Sequence, residues 1–136
     1  MTESSRPVLA SESHDPLSRM RVYRLAIALL TDCWLDVEKL AAHSSTQKLS
    51  GQLYAAVGSI AANIVEGYSR SSGKDRARFF EYALGSVRES MVWFKASETV
   101  VGSERVTLCL NTLEEMRRLL LAIIPKERER RIGPSR

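Results

Sequence analysis

Apolar residues in this chain recur at steps of three and four over four separate stretches, divided by short links rich in Ser, Gly or Pro. At 3.6 residues per turn that spacing lines one face of a helix, so it commits each stretch to an amphipathic helix. The first runs from Asp15-Pro16, an N-cap with Pro at the first helical position, to about His43, with Tyr23, Ile27, Leu30, Trp34, Val37 and Ala41 on one face. Ser44-Ser45-Thr46 supplies a break and the next cap. The second spans about 47–68 and carries Leu49, Leu53, Ala56, Ile60 and Ile64, while Ala55, Ala56, Gly58, Ala61 and Ala62 leave room for another helix. Gly67 and the stretch from Ser69 to Gly73 end it. The third, about 74–101, opens on a capping box, Ser72-Gly73-Lys74-Asp75, and carries Phe79, Phe80, Tyr82, Trp93 and Phe94. Gly102 stops it and Ser103 caps the fourth, whose stripe is Val106, Cys109, Leu113, Met116, Leu120 and Ile123, with Pro125 at its end. No strand-like alternation competes. Four helices with short links predict an all-α, antiparallel up-down-up-down four-helix bundle over residues 16–125. A flexible arm over 1–15 and a charged tail over 126–136 flank it.

A chain of 136 residues suits one domain, and a helical domain of that size leaves enough surface for self-association to be expected. No apolar run is long enough to cross a bilayer, and the N-terminus lacks the apolar middle of a secretory signal, so a cytoplasmic location and no membrane partner are expected. Cys33 and Cys109 sit inside helical apolar patterns, without CxxC spacing or a nearby His, and read as reduced core residues and not as zinc ligands. The net charge of +4 is unevenly placed. Arg70, Lys74, Arg76 and Arg78 against Asp75 leave +3 in one short segment, the residues from Pro125 onward leave another +3, and the remainder is slightly acidic. Two basic segments on an acidic body favour an anionic partner, of which nucleic acid is the commonest, and Arg70, Lys74, Arg76 and Arg78 are the candidate phosphate contacts.

Some polar residues fall close to apolar faces. Gln52, Ser59, Asn63 and Glu66 share one face of the second helix, and Ser86 and Glu89 lie one turn apart on the third. Such groups need partners, because an unpaired buried polar group is costly. One reading makes Glu66 and Glu89 a carboxylate pair for acid–base or metal chemistry. A di-iron site needs Glu-x-x-His pairs, and neither His14 nor His43 has Glu three residues before it. No nucleophile, phosphate loop or Ser/His/Asp set accompanies the pair. The preferred reading is a hydrogen-bond network that fixes helix register or subunit pairing, with no catalytic residue, cofactor or metal.

The stretch Leu49-Ser50-Gly51-Gln52-Leu53, then Ser59-Ile60-Ala61-Ala62-Asn63-Ile64-Val65-Glu66-Gly67 with Arg70, resembles the bacterial four-helix-bundle proteins known as 23S rRNA intervening-sequence, or S23-like, proteins. Phe79-Phe80-Glu81-Tyr82-Ala83-Leu84-Gly85-Ser86-Val87-Arg88-Glu89 is similar to that family's second block, and the likeness covers about 22–124. It implies a small helical bundle assembling into a ring, commonly a homopentamer, without enzymatic activity. A related branch, the accessory proteins of diversity-generating retroelements, implies a basic pentamer that engages nucleic acid and a reverse transcriptase. This chain departs from the pattern at Tyr54 and Ala55, where many members carry basic residues, and at Ala61, where Pro is frequent. Two functions follow as expectations: an oligomeric accessory protein binding RNA or DNA, or a protein–protein scaffold using exposed aromatics such as Tyr54 or Tyr68.

Overall fold

The computed structural model describes residues 15–131, and every regular element among them is helical. The arm expected over 1–15, apart from Asp15, and the end of the tail over 132–136 lie outside the described residues. Asp15 caps as its sequence predicts, its carboxylate accepting the Leu17 N–H at 3.0 Å, but it opens only a 3-10 turn, Pro16–Arg19. Extended backbone at Met20 then separates that turn from α1, Arg21–Asp32. A kink at Cys33 leads into α2, Trp34–Ala41. The backbone ladder crosses it, Cys33 N–H donating to the Leu29 carbonyl and Val37 N–H to the Cys33 carbonyl, both at 2.9 Å, so α1 and α2 form one bent rod.

A 3-10 turn, Ser44–Thr46, precedes α3, Gln47–Ser69. Thr46 does not cap α3; its hydroxyl donates back to the Leu40 carbonyl at 2.7 Å and closes α2 instead. Helix α4, Gly73–Ala96, does start on its predicted cap, with the Ser72 hydroxyl accepting the Asp75 N–H at 3.1 Å. The Asp75 carboxylate faces Arg78 at 3.4 Å. At Ser97 a buried hydroxyl donates to the Trp93 carbonyl at 2.7 Å, a back-bond of the kind that bends helices, and the short α5, Glu98–Val101, follows. Gly102, at φ +93°, makes the reversal and itself occupies the N-cap of α6, Ser103–Arg128, so Ser103 is helical and caps nothing. Helix α6 also runs past Pro125. A proline inside a helix takes its own N–H out of the ladder and its ring crowds the carbonyl four residues back, and here the turn beyond it is held from outside, by Arg76 on Glu127.

Helix α3 packs along α4, α4 along α6, and the α1–α2 rod along α3, while α1 also meets α6 and α2 meets α5. The enclosed core contains Leu53, Val57, Ile60, Ile64, Phe80, Val87, Phe94, Leu113, Met116 and Leu120, all fully buried. The stripes of α3 and α6 agree with the sequence apart from their ends, where Leu49 and Ile123 are half-buried and Ile124 takes the buried place. The first rod is rotated by about one residue from its predicted phase. Its buried line is Val22, Ala26, Leu29, Cys33, Val37 and Leu40, with Tyr23, Ile27 and Leu30 on the flank and Trp34 49% exposed. Contact with two neighbours, α3 and α6, pulls the buried line between the two directions. Gly67 lies inside α3, where a Cβ would stand 3.0 Å from the Arg76 carbonyl oxygen and the Phe80 ring. It sets the close crossing of α3 and α4 and does not terminate the helix.

Cys33 and Cys109 are free and buried in the core, as their apolar surroundings predict. Burial pushes both thiols up to about 11, with the Asp36 carboxylate adding to the rise at Cys33 and Arg105 opposing it at Cys109. The folded state therefore keeps these protons longer than the unfolded chain does. Their contribution to stability is complete below the ordinary thiol range and is lost as pH rises through about 11. Urea midpoints are expected to fall over that window, and iodoacetamide at pH near 8 should label the thiols only once the chain unfolds. Native labelling as fast as in denaturant would contradict this placement.

Candidate nucleic-acid interface

The two basic segments meet at one end of the molecule. Helix α4 begins there and α3 and α6 finish there, which brings residues 70–78 against residues 126–131. The approach is close: a Cβ on Gly73 would stand 2.3 Å from the Glu127 carbonyl oxygen and 2.5 Å from that of Arg130. Lys74, Arg78 and Arg128 line a cleft of about 260 Å³, with Asp75, Ala77 and Glu81 completing it. Arg128 pairs with Glu81 across the cleft. Arg78 lies 4.8 Å from the Phe79 ring centre and donates to the Tyr82 hydroxyl at 3.3 Å. Arg70 pairs with Glu66 and stands 4.6 Å from the same Phe79 ring. These ion pairs are solvent-exposed, so each is weak enough to yield to a phosphate.

Arg76 does not belong with the other three. It is 6% exposed, its Nε donates to Glu127 at 2.7 Å, its Nη1 donates to the Tyr68 carbonyl at 2.5 Å, and its guanidinium lies 5.2 Å from the centre of the Tyr68 ring. A guanidinium enclosed in this way joins the ends of α3, α4 and α6 and presents no face to a phosphate. The candidate set becomes Arg70, Lys74 and Arg78, joined by Arg128. The charge run suggested a solvated cation at position 76; the partner that buries it lies 51 residues further along the chain.

The polar set is brought together only in part. Ser59 donates to Ser86 at 2.7 Å, joining α3 to α4, and Asn63 donates to the Ser59 carbonyl at 2.9 Å. Gln52, Glu66 and Glu89 are exposed. Glu66 holds Arg70, and Glu89 accepts the Trp93 indole N–H at 3.1 Å, so the two carboxylates have separate partners close by on the chain. The six residues do not form a single buried network within one chain. Phase does not separate them, since Gln52, Ser59 and Glu66 follow one another at heptad spacing along α3; exposure does, with Gln52, Glu66 and Glu89 in solvent and Ser59 and Ser86 half-buried where α3 meets α4.

A buried ion pair lies outside the residues that the sequence pattern singles out. Asp36, 3% exposed, accepts Arg105 Nε at 3.1 and 3.0 Å and Arg105 Nη2 at 2.8 Å. Nη2 also reaches the Asp32 carbonyl at 3.3 Å, fastening the kinked rod to the first turns of α6. Asp36 stands three residues after Cys33 on the buried line, a signal visible in the sequence once the phase of that line is correct. At the surface, Trp34 meets Tyr54 edge-on at 5.4 Å, and Leu35, next to Trp34 in the chain, is 65% exposed. Tyr68, by contrast, is half-buried beneath Arg76. Among the described residues no group of three or more His, Cys, Asp or Glu side chains could hold a metal, and no helix is long and apolar enough to cross a membrane.

Fold and site together define a small all-helical protein with a satisfied polar interior and one basic end. The chain belongs to the 23S rRNA-intervening sequence protein family, whose model matches residues 18–122. Among solved structures it is similar to a protein of unknown function from the S23 ribosomal protein family of Bacteroides thetaiotaomicron VPI-5482. The TM-score is 0.70 at 22% identity, over 76% of this chain and 97% of that one, a likeness that speaks to fold. Comparison with curated proteins finds no match.

Proposed function

We propose that this chain is a non-enzymatic cytoplasmic accessory protein, an antiparallel four-helix bundle that assembles as a ring-like homopentamer and binds nucleic acid through its basic end. The observation that carries the reading is the convergence of two basic segments, distant in sequence, on one cleft lined by Lys74, Arg78 and Arg128. Phosphates recognise such clusters without regard to base, and repetition around a ring multiplies a weak site. The bundle reading draws on the order of helix contacts, each rod lying against its chain neighbour and the first also against the last. Self-association draws on exposed Val92, Leu108 and Leu121, apolar side chains that neighbouring copies would cover.

Light scattering should return a mass of five chains. A gel shift with mixed RNA and DNA oligonucleotides at low salt should retard them, and Lys74→Ala should weaken the shift several-fold without changing the mass. A monomer, or an assembly indifferent to nucleic acid at low salt, would overturn the corresponding half of the proposal. A second reading has its own observation. The exposed Trp34–Tyr54 pair with Leu35 suits a protein partner, aromatic residues being enriched in such contacts. A scaffold of this kind binds without salt dependence and loses its partner on Trp34→Ser, with Lys74→Ala silent.

A further inference from the structure

One residue joins the basic cleft to a pair of aromatic rings on α4. Arg78 lines the cleft with Lys74 and Arg128, and the same guanidinium lies 4.8 Å from the Phe79 ring centre and 5.8 Å from that of Tyr82. Phe79 and Tyr82 meet edge-to-face at 5.3 Å and 87°, and Arg70 stands 4.6 Å from the Phe79 ring. Phe79 is half-buried and held by its neighbours, whereas Tyr82 is 48% exposed on the outer face of α4. Its ring meets Phe79 and Arg78, and about half of the residue stays in solvent.

A flat π-surface next to cations is what an unstacked base and its own phosphates require together. Every base has a π-face, so stacking of this kind tolerates any sequence, but it needs a base that has left its helix. A duplex offers the same phosphates to Lys74, Arg78 and Arg128 and no free base to Tyr82. We propose that this end of the molecule selects unpaired nucleic acid over duplex, with a base stacked on Tyr82 and the adjoining phosphates over Lys74, Arg78 and Arg128. Glu66, Asp75 and Glu81 flank the same surface and pair with Arg70, Arg78 and Arg128. They hold down binding by charge alone, which leaves stacking to decide between strands. The inference rests on the nucleic-acid reading above.

The test is fluorescence anisotropy of the full chain with a labelled single strand and its duplex, for the parent, Tyr82→Leu, Tyr82→Phe and Lys74→Ala. Tyr82→Leu keeps an apolar side chain and loses the ring; Tyr82→Phe keeps the ring and loses the hydroxyl that Arg78 bonds. The single strand should bind more tightly than the duplex. Tyr82→Leu should lose about ten-fold for the single strand and little for the duplex, Tyr82→Phe should match the parent, and Lys74→Ala should weaken both alike. Circular dichroism melts of the Tyr82 variants, at an exposed position, should match the parent. Equal affinity for both strands with Tyr82→Leu silent and Lys74→Ala still weakening would overturn the strand selection alone. Binding to neither form would overturn the nucleic-acid reading and this inference with it.

Discussion

Arg76→Ala is expected to destabilise the protein by about 3 kcal/mol, on the order of 10 °C in melting temperature, before any effect on binding. Removing the guanidinium leaves Glu127, whose side chain is only 14% exposed, with the longer contact to half-exposed Arg130 at 3.4 Å. It also strips the Tyr68 carbonyl of its donor and the Tyr68 ring of its cation. Each loss falls where α3, α4 and α6 meet, so the last turn of α6 beyond Pro125 should fray, visible as faster amide exchange over residues 126–130. Arg76→Lys should recover only part of the stability, because an ammonium lacks the planar fork that reaches Glu127 and Tyr68 together. Lys74→Ala, two residues away and exposed, should melt like the parent. If Arg76→Ala melted like the parent and lost only nucleic-acid binding, Arg76 would be the phosphate contact that its sequence context suggests, and the buried placement would be wrong.

Asp36→Ala should cost about 2–3 kcal/mol, set just below the range for fully buried pairs because Arg105 keeps about a third of its side chain in water. The change removes the acceptor of three short contacts and leaves a guanidinium against the Cys33 and Cys109 region. The consequence should localise to the kink: the rod formed by α1 and α2 loses its fastening to α6, and Cys33 and Cys109 become open to iodoacetamide under native conditions. Replacing both partners, Asp36→Leu with Arg105→Leu, should return much of the stability, since an apolar pair of similar volume needs no charge compensation. Thermal melts and the double-mutant cycle read this directly. An additive cycle would mean that the two residues act independently.

These two ion pairs mark where the sequence was hard to read. Helix existence follows from local spacing, and the stripe of α6 is legible because one face of one helix meets one core. The phase of the α1–α2 rod is not, because its buried line answers to two neighbours, and a stripe drawn one residue off that line leaves out Asp36. Gly102 and Ser72 declare themselves through local backbone and hydroxyl chemistry. Thr46 and Ser103 look equally good as caps, yet Thr46 turns back to Leu40 and Ser103 yields the position to Gly102. At the candidate site, Lys74 and Arg78 were legible from charge alone. Arg128 was visible only as part of a tail whose acids and bases alternate, and its convergence on Lys74 is a tertiary fact. Ser59 and Ser86 were found for a sound reason, their place close to apolar faces, and they do touch; Gln52, Glu66 and Glu89 share the pattern without sharing the burial.

The central claim is that two basic segments act as one phosphate-binding end, and the salt dependence of affinity tests it most directly. Binding of a labelled oligonucleotide would be measured across a series of salt concentrations for the parent, Lys74→Ala, Arg128→Ala and the double variant. Each phosphate contact contributes a slope of about −0.9 for duplex or −0.7 for single strands in log affinity against log salt. The account predicts that either substitution lowers the slope by about one contact per chain and that the double variant lowers it by about two, with melting temperature and assembled mass unchanged. Binding whose affinity and slope ignore both residues, or no binding at low salt, would contradict it.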